Sequence, residues 1–236
     1  MHFRVVFLLV VAFSVFAASC SSEPTADTEH DHAAHEHPET NQLPGSDDAQ
    51  QAYAVVDGRA GYRRMPLIDV SATELVEYSE TEAGRAFVPV ADPGEILLLF
   101  FGYLSCPDVC PTTLFDYGEA LDLVPDDVAR RVSFGMISID AERDEGPQVV
   151  VYVGRFIDDG LGLIPADEDG LDAAASTFGV RYEIEDHEEG STKYLVGHTA
   201  TVFAIDEDGM IVWEFSYPTP AEDLASALID LLEERY

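Results

Sequence analysis

The stretch Glu95-Ile96-Leu97-Leu98-Leu99-Phe100-Phe101-Gly102 runs straight into Tyr103-Leu104-Ser105-Cys106-Pro107-Asp108-Val109-Cys110-Pro111-Thr112-Thr113, and its reading decides the fold. An unbroken apolar run bounded by Pro93-Gly94 and Gly102 suits a central strand buried on both faces. Beyond the cysteines, Leu114, Tyr117, Leu121 and Val124 keep helical spacing, and Pro125 closes a helix expected over Thr112 to Leu123. The cysteines therefore sit in a turn from strand to helix, at the strand's carboxyl end, where α/β folds place ligands.

Further elements follow on both sides. Val132 to Asp140 reads as a second strand. Pro147 to Ile157 reads as a helix with proline at an early position, where its missing N–H costs nothing. Asp167 to Phe178 reads as a helix with an acidic start, which the helix dipole favours. Thr199 to Asp206 and Met210 to Ser216 are strands joined by Asp206-Glu207-Asp208-Gly209, a hairpin signal, and Pro220 to Tyr236 is the last helix. Upstream, Tyr53 to Val56 and Met65 to Val70 are short strand candidates. Residues 74 to 92 form a hairpin or an irregular loop, with Ala86 to Val90 extended. Strands alternating with helices build parallel βαβ units, and the closing hairpin adds antiparallel neighbours. The expected class is α/β with a thioredoxin-like fold: a central mixed sheet flanked by helices, an N-terminal strand extension, and an insert over residues 157 to 195 before the last hairpin.

The N-terminal residues have a different character. His2-Phe3-Arg4 precedes a run from Val5 to Phe16 that is apolar apart from Ser14. This run is short for a membrane span and has the length of a signal-peptide core. Ala17-Ala18-Ser19-Cys20 then resembles a bacterial lipobox, with Cys20 as the lipidated residue. Residues 20 to 50 are acidic and poor in apolar side chains, so they cannot offset the entropy of ordering and are expected to form a tether. His30, His32, His35 and His37 stand among carboxylates in this tether. They read either as a weak metal scavenger or as a solvated polar linker. The expected organisation is a signal peptide over 1–19, a tether over 20–50 and one folded domain over 51–236.

Acidic side chains number 46 against 12 basic ones, and the net charge is -34. Such a chain repels phosphates, which argues against nucleic acid and against electrostatic docking on anionic lipids. A solubilising surface is the simpler reading of this charge. A docking face for a basic partner is the other.

Three cysteines are present, and Cys106 and Cys110 are the only ones after Cys20. A disulfide closing so short a loop restrains little unfolded-state entropy, so this pair points to chemistry rather than to stapling. The helix N-terminus favours the thiolate, the form that attacks disulfides and binds metals. Redox exchange and metal binding thus both stay open. The C-x-x-x-C spacing, one residue longer than the C-x-x-C usual in thiol–disulfide oxidoreductases, tilts the choice to metal, and two soft thiolates suit Cu(I). His198, just before the strand at Thr199, is the candidate third ligand; its alternative is a strand-end histidine bonded to backbone. A closed zinc site would need four ligands and only three are in view. A peroxiredoxin-like peroxidase would need a threonine near its cysteine, and Leu99 to Ser105 offers none.

These segments resemble the Sco/SenC family of copper proteins. The resemblance lies in Phe101 to Pro111, in Ile137-Ser138-Ile139-Asp140-Ala141-Glu142-Arg143-Asp144, and in His198 before a strand ending in Ile205-Asp206. It runs from about residue 95 to 236. Two positions depart from the family pattern: Gly197 stands where aspartate is usual, and Leu104 where threonine is usual. The resemblance implies copper held by Cys106, Cys110 and His198. It also implies a role in delivering copper to, or reducing thiols at, the dinuclear copper site of cytochrome c oxidase subunit II. The protein would be lipid-anchored on the extracytoplasmic face of a bacterial membrane. Asp140 either orients a ligand or partner, or caps the strand end with Arg143 as its partner at the surface. Tyr103 either shields the site or is a buried strand-end aromatic. Trp213 is expected in the core, and His187, in an acidic insert, is expected in solvent.

Overall fold

The computed structural model describes residues 53–54, 59–81, 84–188 and 190–234. The signal segment, Cys20, the histidines at 30, 32, 35 and 37, and the strand candidate beyond Ala54 lie outside the described residues. The strands are β1 (Tyr53–Ala54), β2 (Arg63–Arg64), β3 (Ile68–Asp69), β4 (Leu75–Tyr78), β5 (Arg85–Phe87), β6 (Ile96–Gly102), β7 (Val132–Ser138), β8 (Leu161–Ile164), β9 (Tyr182–Ile184), β10 (Val196–His198), β11 (Thr201–Ile205) and β12 (Met210–Ser216). The helices are α1 (Val109–Leu123), α2 (Asp126–Ala129), α3 (Gly146–Val153), α4 (Glu168–Phe178) and α5 (Ala221–Glu234). Among the described residues no helix is long and apolar enough to cross a membrane.

One mixed sheet runs β3-β12-β11-β6-β7-β8-β4-β5. The apolar run lies at its centre as β6, every residue of it buried. β6 pairs parallel with β7 on one side and antiparallel with β11 on the other. Phe100, Phe101, Leu98 and Leu99 are fully buried, as a strand covered on both faces requires. Helices α1 and α5 pack on one another, and α3 covers β8. The class is the expected one, a thioredoxin-like α/β fold with helices flanking a curled mixed sheet.

The closing hairpin forms as expected. Asp206 Oδ1 accepts the N–H groups of Asp208 and Met210 at 3.0 and 2.9 Å, and Gly209 takes a φ of 75° that a side chain would resist. Residues 74 to 92 resolve into the β4–β5 hairpin. Trp213 is buried, and its Nε1–H donates to the Ala60 carbonyl at 2.8 Å.

Two expectations need correction. The segment 157–195 is not simply an insert: it contributes β8, parallel to β7 and at the heart of the sheet. It also contributes β9, which pairs antiparallel with β10 to make a two-stranded arm. His198 is the last residue of β10, and the strand it precedes, β11, begins at Thr201 rather than at Thr199.

Candidate metal centre

The pairing of β6 with β11 explains why the distant ligands meet. Val202 opposes Phe100 in antiparallel register, so residues just after β6 and residues just before β11 lie at the same end of the sheet. The cysteine turn and His198 are those residues. The candidate ligand atoms of Cys106, Cys110 and His198 all lie within 4.8 Å of one another.

Helix α1 starts later than Cys106. Asp108 is its N-cap and makes no side-chain cap, so the sulfur of Cys106 substitutes, accepting the Cys110 N–H at 3.4 Å. Cys110 lies in the first helical turn and is buried, while Cys106 is half-buried. The Cys110 thiol hydrogen-bonds the Cys106 sulfur, and the backbone N–H groups of Asp108 and Cys110 add to it. Together they overcome burial and hold the Cys106 thiol down at about 3. The same hydrogen bond, then burial, then the charge of Cys106, push the Cys110 thiol well above the ordinary range. At neutral pH the pair is one thiolate and one thiol.

Cys110 Sγ lies 3.6 Å from His198 Nε2. Two ligands at about 2.3 Å and 2.0 Å from one ion, at about 120°, would be about 3.7 Å apart. His198 Nδ1 is 3.1 Å from the Thr199 carbonyl, which can only accept, so Nδ1 carries the proton and Nε2 offers its lone pair toward the cysteines. The imidazole is packed edge-on by Phe100 and Tyr103, with centroids 5.8 and 6.0 Å away. Tyr103 is therefore both a buried strand-end aromatic and a wall of the site. Two cysteine sulfurs and one imidazole nitrogen, half enclosed by aromatic rings, form a donor set that fits a soft monovalent copper ion.

Gly102 keeps the strand end close to this site. A Cβ there would lie 2.9 Å from Phe100 Cε1 and 3.2 Å from both Cys110 Sγ and Met136 Sδ. The strand end must lack a side chain for Cys110 to pack as it does.

Asp140 does not touch the three candidate ligands. It is buried, its Oδ2 accepts from Arg143 Nε at 2.5 Å, and its Oδ1 accepts from the Tyr194 hydroxyl at 2.6 Å. Arg143 is not a surface partner, for its side chain is only 8% exposed. Nor is His187 free in solvent: its ring stacks on Tyr194 with centroids 3.7 Å apart, and its Nε2 pairs with Glu142 at 2.8 Å.

Asp144 is the residue that sequence reasoning missed. Its Oδ2 accepts the Leu104 N–H at 3.0 Å and the Ser138 hydroxyl at 2.8 Å, bracing the cysteine turn. Burial raises its carboxyl to about 6, against the opposing pull of these hydrogen bonds. The run Asp140-Ala141-Glu142-Arg143-Asp144 was visible as a motif, but which carboxylate faces the cysteine turn depends on the bend after β7.

The chain matches the SCO1/SenC family over residues 80–233. It is 30% identical over 141 residues to the human mitochondrial SCO1 homologue, a match covering 57% of this chain and 44% of that protein. Matches to the first curated relatives span from 34% to 65% of those proteins' length. Among solved structures it resembles apo Sco1 of Thermus thermophilus, with TM-score 0.61 and 32% identity over 75% of this chain and 99% of that one. It also resembles copper-bound ScoI of Bradyrhizobium japonicum, with TM-score 0.55 and 29% identity over 66% of this chain and 96% of that one. The chain belongs to the SCO1/SenC family.

Proposed function

We propose that this protein is a copper chaperone that binds one copper ion through Cys106, Cys110 and His198 and passes it to a copper protein. The observation that carries this reading is the convergence of two sulfurs and a lone-pair-bearing imidazole nitrogen within 4.8 Å. Its family includes proteins whose structures were solved with copper bound. The recipient in this reading is the dinuclear copper site of cytochrome c oxidase subunit II. Cys20 would carry lipid and hold the domain, through the tether of residues 20–50, on the outer face of a bacterial membrane. Thiol–disulfide exchange as the main activity is not favoured, since exchange has no need of the imidazole nitrogen that converges with both sulfurs.

An anaerobic Cu(I) titration of the reduced full chain, with a chelating competitor present, tests the reading. Wild type is expected to take one tightly held equivalent. The His198→Ala variant is expected to bind more than about 100-fold more weakly, beyond the range typical for loss of an outer-sphere partner. Equal affinity in the two proteins would remove His198 from the site and reopen thiol redox chemistry.

A further inference from the structure

His198 rides on the β9–β10 arm, outside the main sheet, so something must fix the arm over the cysteines. Apart from its two chain neighbours, no described residue comes within 4 Å of the position a Cβ on Gly197, the residue before it, would occupy. No side chain at that position steadies the histidine. The hold lies further back along the arm, at Tyr194.

Tyr194 is buried and gripped from several directions. Its ring stacks on His187 at 3.7 Å, and the Arg143 guanidinium carbon lies 3.6 Å from the same centroid. Groups that near one centroid must take opposite faces, so the ring is sandwiched. Its hydroxyl donates to Asp140 Oδ1 at 2.6 Å, and its carbonyl accepts from Arg143 Nη1 at 2.9 Å. Arg143 also donates to the Thr192 carbonyl at 3.3 Å, and it stands 5.7 Å from the centroid of Tyr103, whose ring packs edge-on to His198. The next residue, Asp144, holds the cysteine turn through the Leu104 N–H. One short turn after β7 therefore grips the histidine arm with Arg143 and the cysteine loop with Asp144.

We infer that Arg143 and Tyr194 are positioning residues for copper binding, clamping the β9–β10 arm so that His198 Nε2 meets the cysteine sulfurs. The inference rests on the three-ligand reading above. Planarity matters to it, because a guanidinium can stack on a ring while forking to a carboxylate and to carbonyls, and an ammonium cannot.

The test measures Cu(I) affinity of the full chain by chelator competition, together with the ¹⁵N shift of His198 Nε2 on loading. Tyr194→Leu is expected to lose about 10- to 100-fold in affinity, the range for outer-sphere partners, and to shrink the His198 shift. Tyr194→Phe keeps the sandwich and is expected to stay within a few-fold of wild type. Leu195→Ala, at a neighbouring residue 62% exposed, is expected to bind as wild type does. Arg143→Lys is expected to lose about 10-fold and carries the test if Tyr194→Leu does not fold. Wild-type affinity and a full His198 shift in Tyr194→Leu, or in Arg143→Lys where it stands in, with copper binding still dependent on His198, would overturn the clamp alone. Binding independent of His198 in the wild type would overturn the three-ligand reading and the clamp with it.

Discussion

Cys110 Sγ and His198 Nε2 lie 3.6 Å apart although 88 residues separate them in sequence. The contact is a consequence of sheet topology, because β11 returns antiparallel beside β6 and its leading residues arrive at the cysteine turn. Most of what is testable about this protein follows from that meeting and from the groups that brace it.

Proton release on copper binding reports the state of the cysteine pair. With its pKa at about 3, Cys106 is already a thiolate at pH 7, whereas Cys110 still holds its proton. Metal binding must expel any thiol proton that remains. Loading Cu(I) into the reduced chain in weak buffer at neutral pH is expected to release about one proton per copper. A release near two would show that the hydrogen bonds to Cys106 do not hold it deprotonated.

Asp144 should leave a mark on stability as a function of pH. Its carboxyl is raised from 3.8 to about 6, so the native state binds this proton more tightly than the unfolded chain. Its contribution is therefore greatest at low pH and falls as pH rises from about 4 to about 6. Asp144→Asn keeps an oxygen for Leu104 and Ser138 and removes the titration. Denaturant unfolding across that range is expected to show the variant gaining, relative to wild type, on the order of 2 kcal/mol toward neutral pH. Parallel curves for the two proteins would contradict this.

Gly102→Ala tests the close approach at the strand end. The new methyl would meet Phe100, Cys110 and Met136 at 2.9 to 3.2 Å. The expected cost is about 1–3 kcal/mol of stability, as for other overpacked cores, with a weaker hold on Cu(I) because Cys110 is displaced. Unfolding midpoints and competition titrations read both effects. An unchanged pair of values would mean that the neighbouring sulfurs yield freely.

The central strand, the cysteine turn, the hairpin at Asp206–Gly209 and the outer helices could all be read from local pattern, because each is fixed by its own composition and spacing. Leu161–Ile164 could not. Four residues with a glycine among them carry no period, and only pairing with β7 and β4 makes them a strand. The β9–β10 arm escaped for the same reason, since β9 is largely exposed and exists through its partner. The three candidate ligands were legible because thiols at that spacing have few other uses, and the histidine stands near a strand that must return to them. Their support was not. Arg143 looks like a surface charge until the loop that buries it is known, and His187 looks solvated among its acidic neighbours. Its stack on Tyr194 and pairing with Glu142 come from chain distant in sequence or folded back on itself.

The most direct test of the three-ligand site is copper K-edge X-ray absorption on the reduced full chain loaded with one equivalent of Cu(I). The expected first shell has two sulfurs and one nitrogen, with the outer-shell scattering of a bound imidazole, and that imidazole signal should vanish in His198→Ala. A shell of sulfur alone in the wild type, or an imidazole signal that survives the substitution, would contradict the assignment of His198 as the third ligand.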